Sequence, residues 1–112
     1  MRCVVTVDHE IPVREPLKVS PGDSVQVGDQ DAEWPAFVFV TARWGAGWMP
    51  ARHLDIDGAA GTVRVAYDTT ELAASRGEAV DVIRDDPDSG WSWCRNAVGG
   101  EGWVPHRALA AE

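Results

Sequence analysis

Apolar and polar positions alternate with a period of two along most of this chain. Residues 24–27, 38–41, 63–67 and 79–83 alternate or run apolar, and β-branched side chains are frequent in them. Gly, Pro, Asp and Asn bound each stretch, the signature of short strands separated by turns. Residues 3–7 open the chain with the same alternation. Residues 71–75 have a helical look but no room for a helix, because Gly77 follows at once. The pattern predicts an all-β protein.

The pattern also repeats. Residues 45–54 read Gly-Ala-Gly-Trp-Met-Pro-Ala-Arg-His-Leu, and residues 100–109 read Gly-Glu-Gly-Trp-Val-Pro-His-Arg-Ala-Leu. The shared element is Gly-x-Gly-Trp-apolar-Pro-x-Arg-x-Leu. Upstream, Pro21-Gly22-Asp23-Ser24-Val25 answers Arg76-Gly77-Glu78-Ala79-Val80, and Phe37-Val38-Phe39-Val40 answers Trp91-Ser92-Trp93-Cys94. Such self-similarity predicts two copies of one module, each of five short strands arranged as a small barrel. The short, small-residue stretch 58–61 reads as the linker. The expected division is 1–57, linker 58–61, and 62–112. Acidic stretches 28–33 and 85–90 read as exposed loops.

Composition narrows the function. The net charge is −8 with a single lysine, and the two halves carry the same balance. Neither half has a basic stripe, which argues against nucleic acid. No apolar run approaches membrane-spanning length. The N-terminus has no signal-peptide pattern, so a cytoplasmic location is expected. Cys3 and Cys94 lie outside any metal-ligand spacing. Cys94 occupies the register position of Val40 and should be a buried, reduced thiol. His9, His53 and His106 are too scattered for a metal site. No nucleophile–base pattern, phosphate loop or cofactor motif is present, so neither an enzyme nor a cofactor is expected.

Val65-Ala66-Tyr67-Asp68-Thr69, Glu71-Leu72 with Arg76-Gly77-Glu78, Trp91, and Gly102-Trp103-Val104-Pro105 with Leu109 together resemble an SH3 domain. The Gly-Trp-Val-Pro form is similar to bacterial variants of that family. Residues 5–9 open a looser first copy. The resemblance implies two SH3-like five-stranded barrels in tandem and recognition of an extended, proline-containing or basic peptide between aromatic rings.

Carried over, the second copy offers Tyr67, Glu71, Trp91, Trp93, Trp103 and Pro105 for that face. The first offers Trp34, Phe37, Trp48, Pro50 and His53, together with His9. The sequence departs from the family at Thr69, Ala108 and Val7, where tyrosines are usual.

Trp91 and Trp93 share a parity and point the same way, while Cys94 points into the core. Two readings of the outward rings stay open: a ligand face, or packing against another barrel or chain. Trp48 and Trp103 either join such a face or cover one end of each barrel. The expected function is therefore a non-catalytic binding module for protein or peptide. One alternative is a structural or assembly unit, homo-oligomers included. The other is small-ligand or cell-wall binding.

Overall fold

In a computed structural model describing all residues 1–112, the chain is all-β and has no α-helix. Twelve strands form: β1 (Arg2–Val5), β2 (Lys18–Val19), β3 (Ser24–Gln30), β4 (Phe37–Ala42), β5 (Gly45–Pro50), β6 (Leu54–Asp57), β7 (Ala60–Val63), β8 (Tyr67–Asp68), β9 (Ala79–Asp86), β10 (Trp91–Arg95), β11 (Glu101–Pro105) and β12 (Leu109–Ala111). Single 3₁₀ turns, Ala51–His53 and His106–Ala108, follow the two Trp-x-Pro strands. No helix is long and apolar enough to cross a membrane.

The strands assemble into two compact units. A continuous unit spans Glu15–Thr69, with sheet order β5-β4-β3-β7-β6 and a small β2-β8 pair. A discontinuous unit joins Met1–Arg14 to Thr70–Glu112, with sheet order β11-β10-β9-β1-β12. The two orders are equivalent strand for strand. Each sheet is open: β11 and β12 are the ends of one, β5 and β6 the ends of the other. The expected closed barrels are corrected on this point. Beside β11, the backbone of residues 70–72 takes over, with Trp103 N–H donating to Thr70 O at 2.9 Å and Leu72 N–H to Trp103 O at 3.1 Å.

The units also differ from the expected division at 1–57 and 62–112. The cause lies at the stretch read as a linker. β6 and β7 form a tight hairpin, with Asp57 opposite Ala60 and Leu54 opposite Val63. Gly58 has φ 63° at the first central position, where a type II′ turn calls for glycine. β7 turns straight back onto β6 and pairs with β3 on its other edge. The place that β7 would have taken between β9 and β12 is filled by β1. The first strands of the two repeats are exchanged.

The expected run 63–67 is interrupted. β7 ends at Val63, and Tyr67 and Asp68 pair instead with Val19 and Lys18. The acidic loops are shorter than expected, because β3 extends to Gln30 and β9 to Asp86.

The core of the discontinuous unit holds Cys3, Val5, Leu72, Ala74, Val80, Cys94, Val104 and Ala108. Both cysteines are buried and free. Burial chiefly, then the nearby Cys3 and Asp85, pushes the Cys94 thiol up to about 11, so it stays protonated at neutral pH. Its Sγ donates to Ser92 O at 3.5 Å.

Candidate functional site: an aromatic cross-strand face

Strands β10 and β11 set Trp91 opposite Pro105, Ser92 opposite Val104, Trp93 opposite Trp103 and Cys94 opposite Gly102. Alternation sends Ser92, Cys94 and Val104 to the core, and Trp91, Trp93, Trp103 and Pro105 to the opposite face. Trp91 and Trp93 are half-buried, whereas Trp103 is 4% exposed and Pro105 is fully buried. Trp93 meets Trp103 edge to face, with centroids 5.3 Å apart. The Arg84 guanidinium carbon lies 5.7 Å from the Trp103 ring centroid, within cation–π range.

A carboxylate anchors this face. Glu101 accepts Trp93 Nε1–H at 2.8 Å on one oxygen and Arg95 Nε–H at 2.9 Å on the other. The Trp93 bond, and then the Arg95 bond, hold the Glu101 carboxyl below its ordinary range.

One histidine–carboxylate pair stands beside Trp91, and a second lies on the opposite face of the sheet, with Ser92. His9 packs edge-on to the Trp91 ring at 5.4 Å, and its Nε2 is 3.0 Å from Glu71 Oε1. This places His9 in the discontinuous unit, beside the second copy's tryptophan rather than with the first copy's rings. The N-terminal segment delivers it there: His9 N–H donates to Ala74 O at 2.8 Å and Ala74 N–H to His9 O at 3.0 Å. On the other side, His106 Nε2 is 2.6 Å from Asp85 Oδ1, which also accepts Ser92 Oγ–H at 2.9 Å. His106 follows Pro105 directly, and its N–H donates to Gly90 O at 2.9 Å.

Gly102 allows the strand carrying Trp103 to approach residues 71–72. A Cβ there would lie 2.6 Å from the Glu71 carbonyl carbon and 2.6 Å from the Leu72 nitrogen. Only a residue without a side chain fits so close to backbone.

The continuous unit carries the matching face on β4 and β5. Phe37 stands opposite Pro50 and Phe39 opposite Trp48, with the latter rings edge to face at 5.1 Å. Phe37 is 6% exposed and Pro50 is fully buried, while Phe39 and Trp48 are half-buried. Trp34 is half-buried in the preceding loop, where Asp31 Oδ1 accepts the backbone N–H of Glu33 and of Trp34.

Tyr67 belongs to the continuous unit and is 8% exposed. Its ring packs against His53 at 5.6 Å, tilted by 41°. The eleven residues singled out in the sequence therefore divide by unit. Glu71, Trp91, Trp93, Trp103 and Pro105 lie in the discontinuous unit; Trp34, Phe37, Trp48, Pro50, His53 and Tyr67 lie in the continuous one. Sequence reasoning missed His9 as a neighbour of the Trp91 face, and Asp85, expected beside that face, lies with His106 on the opposite one, bonded to Ser92.

No group of His, Cys, Asp and Glu is arranged to hold a metal ion. No curated protein and no solved structure matches the chain. A family model described as "SH3 domain" matches residues 65–106. The match begins on the β7–β8 segment of the continuous unit and runs through β9, β10 and β11 of the discontinuous one. Over residues 65–106 the chain is thus similar to an SH3 domain, a family whose members generally serve as non-catalytic protein-interaction modules.

Proposed function

We propose that the discontinuous unit recognises an extended, proline-containing peptide with a basic flank, and that the continuous unit is a second module of the same build. One observation carries this reading: the SH3 match covers the strands that present Trp91 and Trp93, half-buried, beside Pro105. Prolines in a polyproline II helix present regularly spaced apolar edges, and flat rings make slots for them. Trp91 and Trp93 line the slot. Glu71 supplies negative charge beside it, and the overall charge of −8 favours a cationic partner. The bound peptide contributes apolar ridges, and no bond is made or broken.

A packing role for the faces is the second reading. It is favoured by the burial of Trp103, Pro105, Phe37 and Pro50. The two readings separate on Trp91→Ala. Under peptide recognition, this variant keeps its cooperative unfolding and loses most of its affinity for a proline- and arginine-containing peptide, by ~2 kcal/mol or more. Under packing, it unfolds or leaves affinity unchanged. Added salt should weaken the contribution of the basic flank, because exposed charges are screened.

A further inference from the structure

We infer that residues 1–9 form an exchangeable arm, through which two copies of this chain build a strand-swapped dimer. Each copy's arm then completes the discontinuous unit of the other.

The arm is a structural member of that unit. Cys3 is 3% exposed and Val5 1%. β1 sits between β9 and β12, with Cys3 opposite both Val80 and Ala111. Further bonds fix it along its length. Val5 N–H donates to Glu78 O at 2.8 Å, Thr6 N–H to Ala108 O at 2.8 Å, Gly77 N–H to Val5 O at 2.7 Å and Val82 N–H to Met1 O at 2.7 Å. Asp8 Oδ1 accepts Arg76 N–H at 2.7 Å, and His9 reaches Glu71. Every one of these partners lies beyond residue 70, on the far side of the entire continuous unit. None requires the arm and the body to belong to the same chain.

The segment joining the arm to the rest is suited to serve as a hinge. Residues 10–16 are exposed throughout and contain no strand. Pro12 and Pro16 hold this segment extended, since proline fixes its own φ and biases the preceding residue away from the helical region. An extended hinge favours handing the arm to a neighbour over folding it back. Closed monomer and swapped dimer share all arm contacts, so hinge strain and concentration decide between them. The exchange already occurs between the two repeats inside one chain, where β1 occupies the place left by β7. An undocked arm would leave β9 and β12 with open edges, which pair readily with another strand.

The occupant of those edges is thus a second copy of this chain. In the dimer, Trp91 comes from one copy and the His9 beside it from the other. That last consequence bears on recognition only if the peptide-binding reading holds. The assembly itself does not depend on it.

The test uses full-length chains refolded at low and at near-millimolar concentration, with mass read by sedimentation. The expected result is a dimer that forms on concentrated refolding and dissociates slowly on dilution. Val5→Asp disables the arm and Val80→Asp disables the body. Each alone should lose the dimer and the folded-state Trp91 and Trp93 signals. Co-refolding the two should restore those signals in a heterodimer with one intact discontinuous unit. Three results would overturn the inference: wild type that stays monomeric at every concentration, a wild-type dimer that persists in Val5→Asp, or a mixture no better than the sum of its parts. Gly substitution of both Pro12 and Pro16 should lower the dimer fraction without removing the fold. An unchanged fraction would count against the hinge.

Discussion

The two aromatic faces occupy equivalent strands, yet they bury opposite partners. In the continuous unit the ring at the start of β4, Phe37, is 6% exposed, and its companion Trp48 on β5 is half-buried. In the discontinuous unit the ring at the start of β10, Trp91, is half-buried, and the companion Trp103 on β11 is 4% exposed. The charged neighbours differ as well. Glu101 ties Trp93 to Arg95, whereas the matching positions in the continuous unit are Ala46 and Thr41. Asp85 pairs with His106 and Ser92, where the continuous unit has Gln30 and Val38. Equal backbone positions do not make equal surfaces. The discontinuous face combines half-buried indoles with a carboxylate, Glu101, while the continuous unit is uncharged at the matching positions.

The hardest test of the comparison is to cut the chain. Residues 15–69 contain every strand of the continuous unit, so that fragment should fold with its own cooperative transition. Residues 62–112 lack β1, and should stay unfolded alone despite spanning the SH3 match. Circular dichroism of the two fragments decides this. A folded 62–112 would mean that the exchanged strand is dispensable.

Glycine substitutions sharpen the contrast next. Gly102→Ala drives a Cβ into backbone and should destabilise the discontinuous unit by about 3 kcal/mol or more in urea unfolding. In the other unit, Gly47→Ala meets only the Thr69 side chain, at 3.1 Å, which can give way. It should cost about 1 kcal/mol. Equal costs would show that the two strand approaches are not different after all.

Phe37→Ala should destabilise the continuous unit by ~3 kcal/mol, the usual loss for a buried aromatic. Trp91→Ala, removing a ring only half-buried, should cost clearly less stability. A larger loss from Trp91→Ala would make it a packing residue.

The smallest effect at neutral pH belongs to Cys94→Val, which keeps volume and apolarity and should change stability by less than about 1.5 kcal/mol. Its signature is alkaline. The folded thiol titrates near 11 against a reference of 9.0, so the folded state favours the neutral form. Stability is therefore full below pH 9 and falls between pH 9 and 11, with a slope approaching 1.4 kcal/mol per pH unit for this one group. Cys94→Val should remove that part of the decline. Fast labelling of native Cys94 by a thiol reagent would contradict its burial.

Much of this was legible in the sequence. Period-two alternation located most strands, and the repeat register placed Cys94 in a core slot that the fold keeps at 0% exposure. The parity of Trp91 and Trp93 gave their common face. The exchange of first strands was not read, because residues 58–61 look equally like a linker or a two-residue hairpin. Gly58 opening a two-residue loop between alternating segments was the available signal. The company kept by Tyr67, His53 and His9 follows from that exchange, and each lies in a unit set by strand pairing rather than by sequence order. The burial of Trp103 was not legible either, since it depends on Arg84 and Trp93 arriving from neighbouring strands.

The central claim is that recognition belongs to the Trp91 face and not to its counterpart. Six tryptophans give six indole N–H signals, and assigned NMR spectra read them separately during titration with a proline- and arginine-containing peptide. The account predicts saturable shifts at Trp91 and Trp93, with Trp34 and Trp48 unmoved. Shifts confined to Trp34 and Trp48, or none at millimolar peptide, would contradict it.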